Sequence, residues 1–184
     1  MSYKEKLKGL YVITDDTLTP KDSILEKVEK ALQGGASLVQ LRDKHSDDTN
    51  LAELALEIQK LCMGYEALFI LNDNIDVAIK IGCDGLHIGK SDHENFSDIR
   101  KNFGGIIGVS CYGDLQLAKK FELLGADYVA FGSFFQSATK PDSNIVPLRT
   151  LKEAKEKISI PLCAIGGINT KNLDQILQYS PDMV

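Results

Sequence analysis

Seven short apolar runs, each followed by a longer amphipathic run, limit this chain of 184 residues more than any other feature. The apolar runs are Leu10 to Thr14, Leu38 to Arg42, Leu68 to Leu71, Gly85 to Ile88, Ile106 to Val109, Tyr128 to Phe131 and Leu162 to Ile165. Between and after them, the segments Ser23–Leu32, Leu51–Leu61, Ile75–Ile81, Phe96–Phe103, Leu115–Leu124, Leu148–Ile158 and Asn172–Leu177 carry apolar residues at helical spacing. In the first of them, Ile24, Leu25, Val28, Ala31 and Leu32 share one face. Gly34-Gly35, Gly82 and Gly125 stop helices, and Thr170 is the expected N-cap of the last one.

Strands that are apolar throughout have both faces buried. Strict β-then-α order makes such strands parallel, joined by right-handed crossovers. Gly-Ala-Ser-Leu at 35–38, Gly-Cys-Asp-Gly at 82–85 and Gly-Ala-Asp-Tyr at 125–128 each close a helix and open a strand. That recurrence favours a single (β/α)8 TIM barrel domain over residues 1–184. A doubly wound open sheet is the alternative, but it usually announces itself by a glycine-rich turn after the first strand. Here the first strand ends in Asp15-Asp16. Ser180 to Val184 reads as the opening of an eighth strand, so the barrel is expected to be truncated there, lacking most of strand eight and helix eight.

The net charge of −5 excludes long-range attraction to nucleic acid. Anionic ligands would then need local cations, backbone N–H groups or a metal. The four cysteines form no C-x-x-C pair, so they suggest neither a zinc site nor a redox motif. Three of the four sit in or beside apolar runs and suit small core positions, and the pattern suits a reducing cytoplasm. No apolar stretch approaches the roughly 20 residues that span a bilayer, and the charged N-terminus lacks a signal region.

In a (β/α) barrel, chemistry gathers at the C-terminal ends of the strands. The second strand ends in Gln40-Leu41-Arg42-Asp43-Lys44. Alternation sends Gln40, Arg42 and Lys44 to one side, and an amide with two cations suits a phosphate or diphosphate. Taken alone, that segment is better explained as a charged strand end in water. Asn72-Asp73 ends the third strand and Asp92 follows the fourth. Capping explains each aspartate alone, whereas the pair could share one hard cation such as Mg2+. Ser110 ends the fifth strand. The long loop after the sixth contains Ser137, Ala138, Thr139 and Lys140, which could close over a phosphorylated substrate. Gly166-Gly167 after the seventh precedes a helix whose N-terminus would favour phosphate. His87 reads as a packed strand residue, and His45 and His93 receive no role.

These segments together resemble the thiamine-phosphate synthase family. The matching stretches are Tyr11–Asp15, Val39–Lys44, Asn72-Asp73, Asp84–Gly89 with Asp92, Ile107–Ser110, Ala126–Gly132, Thr139–Pro141 and Ala164–Ile168. The resemblance implies an enzyme of thiamine biosynthesis that joins a pyrimidine diphosphate to a thiazole phosphate. It implies that Gln40, Leu41, Arg42, Asp43, Lys44, Asn72, Ser110 and Lys140 hold the pyrimidine diphosphate. It assigns Mg2+ to Asp73 and Asp92, and the thiazole phosphate to Ser137, Ala138, Thr139 and Gly167. Arg42, Lys44, Lys140 and Ser110 would be the catalytic groups. Gln136 stands where the family usually has proline. A thiazole tautomerase-like isomerase remains open, although it should show a histidine just after the fifth strand, where this chain has Cys111 and Tyr112. So does a truncated, non-catalytic phosphate-binding remnant. Small molecules are the expected partners, with no nucleic acid and no membrane, and assembly into a homo-oligomer is open.

Overall fold

The structure is a computed structural model that describes residues 3–137 and 144–184. The elements run α1 (Tyr3–Lys6), β1 (Leu10–Ile13), α2 (Ile24–Gln33), β2 (Ala36–Leu41), α3 (Asp48–Gly64), β3 (Leu68–Asn72), α4 (Ile75–Ile81), β4 (Gly85–Ile88), α5 (Phe96–Asn102) and β5 (Ile106–Ser110). They continue with α6 (Leu115–Leu124), β6 (Tyr128–Phe131), α7 (Arg149–Lys157), β7 (Leu162–Ala164) and α8 (Leu173–Leu177). A 3-10 turn at Lys90–Asp92 follows β4. The fold is α/β, and all seven expected strands are present. No helix among the described residues is long and apolar enough to cross a membrane.

The chain forms two compact units, Met1–Ile107 and Gly108–Val184. In the first, β1, β2, β3 and β4 pair in chain order, all parallel. Leu38, Val39, Leu41, Phe69, Ile70, Leu71, Leu86 and Ile88 are fully buried, as strands covered on both faces require. Helix α2 buries Ile24, Val28 and Leu32, one stripe at a spacing of four. Helix α3 is capped by Asp47, whose carboxylate accepts from the Thr49 and Asn50 N–H groups, so the helix begins at Asp48, three residues before its apolar pattern does.

In the second unit, β5 pairs with β6 and β6 with β7, again parallel. Asp114 caps α6 at its start and left-handed Gly125 ends it. Met183 bridges in parallel to Cys163, and the Ala164 N–H donates to the Met183 carbonyl at 2.9 Å. The residues read as the opening of a further strand therefore do begin pairing beside β7. The expected cap of α8 is corrected. The helix starts at Leu173 with Asn172 at the N-cap, and Thr170 lies outside it. Asn172 Oδ1 instead accepts from the Asn169 N–H at 2.8 Å.

Gly108 faces Tyr128 across the β5–β6 ladder, and a Cβ there would lie 1.9 Å from a ring carbon of that fully buried tyrosine. Gly108→Ala should therefore destabilise the fold by about 1–3 kcal/mol through overpacking. Urea unfolding measures this, and an unchanged midpoint would show that the ring has room to move.

Candidate active site

In the first unit, the polar strand ends meet where β1 and β2 finish. The ladder extends one step past β1, because the Thr14 N–H donates to the Gln40 carbonyl at 2.9 Å. The Thr14 hydroxyl accepts from the Arg42 N–H, also at 2.9 Å, and Thr14 is only 4% exposed. Gln40, 2% exposed, donates through Nε2 to the Tyr11 hydroxyl at 2.7 Å. Leu41 points into the core and is fully buried, so only its backbone could serve a ligand. Arg42 is half-buried and Lys44 exposed. Among the described residues neither cation forms an ion pair.

Asp43 behaves differently from its two neighbours. Its side chain is 5% exposed. Oδ1 accepts from the His45 and Ser46 N–H groups at 2.9 Å each, and Oδ2 accepts from the Ser46 hydroxyl. Lys21 Nζ lies 3.6 Å from Oδ2. Burial pushes the Asp43 carboxyl up, but the Ser46 hydroxyl, the two N–H groups and Lys21 outweigh it. The net result is a carboxyl held down at about 2. His45, given no role from sequence, sits 3.5 Å from Asp16 and links the loops after β1 and β2. A cleft of about 180 Å³ lies between these loops, lined by Thr14, Asp16, Lys21, Arg42, Asp43 and His45 among others.

The two expected metal ligands stand at the ends of the adjacent strands β3 and β4. Asp73 has φ +63°, a left-handed conformation that is strained for a residue other than glycine. Its N–H donates to the His87 carbonyl at 2.9 Å, and Asn72 Nδ2 donates to its Oδ2 at 2.6 Å. Asp92 ends the 3-10 turn, and its Oδ2 accepts from the Ser91 hydroxyl at 2.7 Å. Each carboxylate thus keeps Oδ1 for another partner. No group of three or more His, Cys, Asp or Glu suited to a metal exists among the described residues. Two carboxylates with the remaining positions filled by water and substrate phosphate fit Mg2+, which seldom uses an all-protein cage.

In the second unit, Ser110 ends β5 half-buried. The loop after β6 folds against the residues after β7. Phe134 N–H donates to the Ile165 carbonyl at 3.1 Å, and Phe135 N–H to the Gly166 carbonyl at 3.0 Å. A Cβ at Gly167 would lie 2.4 Å from the Gln136 carbonyl oxygen, so a larger residue could not sit there. The Phe135 and Gln136 backbone, just ahead of Ser137, is therefore packed against Gly167. Gly166-Gly167 does precede a helix, but at a distance. Helix α8 begins only at Leu173, and the Gly167 carbonyl instead accepts from Asn169 and Asn172 side chains at 3.2 and 2.9 Å. The N–H groups of Gly166, Gly167 and Ile168 find no acceptor among the described residues, and that run of donors replaces the helix end as the anion-favouring feature. Ala138, Thr139 and Lys140 lie outside the described residues.

All four cysteines are free and buried. Burial pushes the thiols of Cys62, Cys83 and Cys111 up to about 12, and that of Cys163 further. None can supply a thiolate nucleophile near neutral pH.

Residues 10–184 match the model of the thiamine monophosphate synthase family. A thiamine-phosphate synthase of Alcanivorax borkumensis is 44% identical over 174 residues, covering 94% of this chain and 80% of that protein. One from Thermoplasma acidophilum is 38% identical, covering 97% and 83%. The solved thiamine phosphate pyrophosphorylase of Pyrococcus furiosus superposes with a TM-score of 0.86 at 37% identity, covering 99% of this chain and 86% of that one. A 3-dehydroquinate dehydratase of Geobacillus kaustophilus, 13% identical with a TM-score of 0.70 over 96% and 80% of the chains, shares the fold alone.

The lowered Asp43 carboxyl has a measurable consequence. A depressed folded-state value adds stability above the ordinary 3.8, and this is lost as pH falls through about 2. The stability gap between the parent and Asp43→Ala should be widest above pH 3.8 and close toward pH 2. Urea midpoints across that range check this, and a pH-independent gap would contradict it.

Proposed function

This chain belongs to the thiamine-phosphate synthase family, transferases of thiamine biosynthesis, and on that premise we propose how its own residues perform the reaction. The substrates are 4-amino-2-methyl-5-(diphosphooxymethyl)pyrimidine and a thiazole phosphate, and the products are thiamine phosphate and diphosphate. The carbon–oxygen bond of the pyrimidine methylene breaks, and the diphosphate leaves with the electron pair. The thiazole nitrogen lone pair then forms the new carbon–nitrogen bond. That nitrogen carries no proton, so no general base is needed. Four thiols held protonated by burial are consistent with this.

The observation that carries the reading is the pair of uncommitted cations at the end of β2. Arg42 and Lys44 put fixed positive charge where diphosphate charge grows, and pre-placed charge of this kind is a large catalytic term. Lys140 would add to it from the loop after β6. Gln40, its amide oriented by Tyr11, and Asn72 and Ser110 would hold the rest of the pyrimidine diphosphate. Asp73 and Asp92 would hold Mg2+, which supplies Lewis-acid stabilisation of the departing diphosphate. Ser137, Ala138, Thr139 and Gly167 would hold the thiazole phosphate, supported by the free N–H groups of residues 166–168. The same reading makes the whole a (β/α)8 barrel, with Met183 opening the eighth strand, and places the enzyme in the cytoplasm. The tautomerase reading lacks its histidine, since Cys111 is buried and Tyr112 follows it.

Lys140→Ala should slow the single-turnover rate by about 10²-fold or more, a size usual for one transition-state charge partner, while thiazole phosphate affinity changes far less. An unchanged rate would remove Lys140 from the leaving-group role. Asp92→Ala should move the Mg2+ activation curve to markedly higher concentration, and an unaltered metal titration would remove that carboxylate from the site.

A further inference from the structure

We propose that Asp43 and Thr14 are positioning residues, which set the place of Arg42 and Lys44 and do not themselves touch the substrate. The proposal rests on the reading that those two cations hold the diphosphate.

A carboxylate between two cations at an anion site is at first sight unfavourable, because it would repel a diphosphate. The geometry removes the conflict. Asp43 stands two residues past Leu41, the last residue of β2, and its side chain is turned in against the protein. Both of its oxygens are then occupied within the protein. Oδ1 takes the N–H groups of His45 and Ser46, and Oδ2 takes the Ser46 hydroxyl with Lys21 nearby. With 5% of the side chain exposed, little remains for a ligand or a metal.

The hydrogen bond from the His45 N–H back to Asp43 closes a turn with Lys44 at its centre. Asp and Asn make such turns because their side-chain oxygen reaches an N–H two residues on. Among the described residues the Lys44 side chain makes no hydrogen bond or ion pair, so this turn is what fixes its position. Arg42 is fixed from the other direction. Its N–H ends on the Thr14 hydroxyl at 2.9 Å, and Thr14 is anchored in turn by its own N–H on the Gln40 carbonyl. Loss of either brace lets a cation drift, and a displacement of about 1 Å at a reacting centre is costly.

The test uses the whole chain with Asp43→Ala, Asp43→Asn, Thr14→Val, Thr14→Ser and, as reference, Arg42→Ala. Inorganic diphosphate with Mg2+ is titrated by calorimetry, and KM and kcat are measured for both substrates. Asp43→Ala and Thr14→Val should each weaken diphosphate about tenfold and raise KM for the pyrimidine diphosphate alike, through displacement of the cation that each residue braces. KM for the thiazole phosphate should stay put. Asn keeps the side-chain acceptor and Ser keeps the hydroxyl, so both should return diphosphate affinity to within about threefold of the parent. If Asp43→Asn is as defective as Asp43→Ala, the negative charge itself is needed and Asp43 is a ligand. If Asp43→Ala binds diphosphate like the parent, the brace is irrelevant. If Asp43→Ala fails to unfold cooperatively, Asp43→Asn and the Thr14 pair decide on the same criteria. Normal diphosphate binding by Arg42→Ala would instead overturn the underlying reading of the cations.

Discussion

The register of β2 between its two neighbours governs everything polar in the first unit. Ile13 stands opposite Gln40, Gln40 opposite Ile70 and Leu41 opposite Leu71. Side chains alternate along a strand, so a slip of one residue would exchange the faces of Gln40 and Leu41, both buried. The Gln40 amide would then lose the Tyr11 hydroxyl at 2.7 Å, and a buried amide without a partner is costly. Thr14 then carries the pairing beyond the end of β1, so that the cations begin where a rigid ladder stops.

The positions of the strands could be read from residues because burial on both faces leaves continuous apolar runs. Helix ends were less legible. Helix α3 begins at Asp48, three residues before the first apolar position, because Asp47 caps it and capping residues carry no hydrophobic signal. Thr170 and Asn172 are both good caps, and only packing decides between them; the structure takes Asn172. The 3-10 turn that carries Asp92 has no periodicity to betray it.

The site was legible as a set of residues and less so as a set of roles. Gly167 lies against the Phe135 and Gln136 backbone, about thirty positions earlier in the chain, and no spacing rule joins the two segments. The helix after Gly166-Gly167 is legible from its apolar spacing, and the structure starts it at Leu173, five residues beyond the pair. Asp43 reads from sequence as one more polar group beside Arg42. Its inward hydrogen bonds depend on how Ser46 and Lys21 fold around it, which no spacing rule encodes. Thr14 reads from sequence as the last residue of an apolar run, and nothing in that run signals that its hydroxyl takes the Arg42 N–H.

The buried sulfur atoms have a use beyond packing. Two, Cys62 and Cys83, belong to the first unit and two, Cys111 and Cys163, to the second. A thiol shielded from water and held protonated reacts with an alkylating reagent only after the surrounding structure opens. The chain therefore carries an intrinsic pair of clocks in each half, and mass-resolved labelling over time would reveal whether the halves open in one concerted event or each at its own pace.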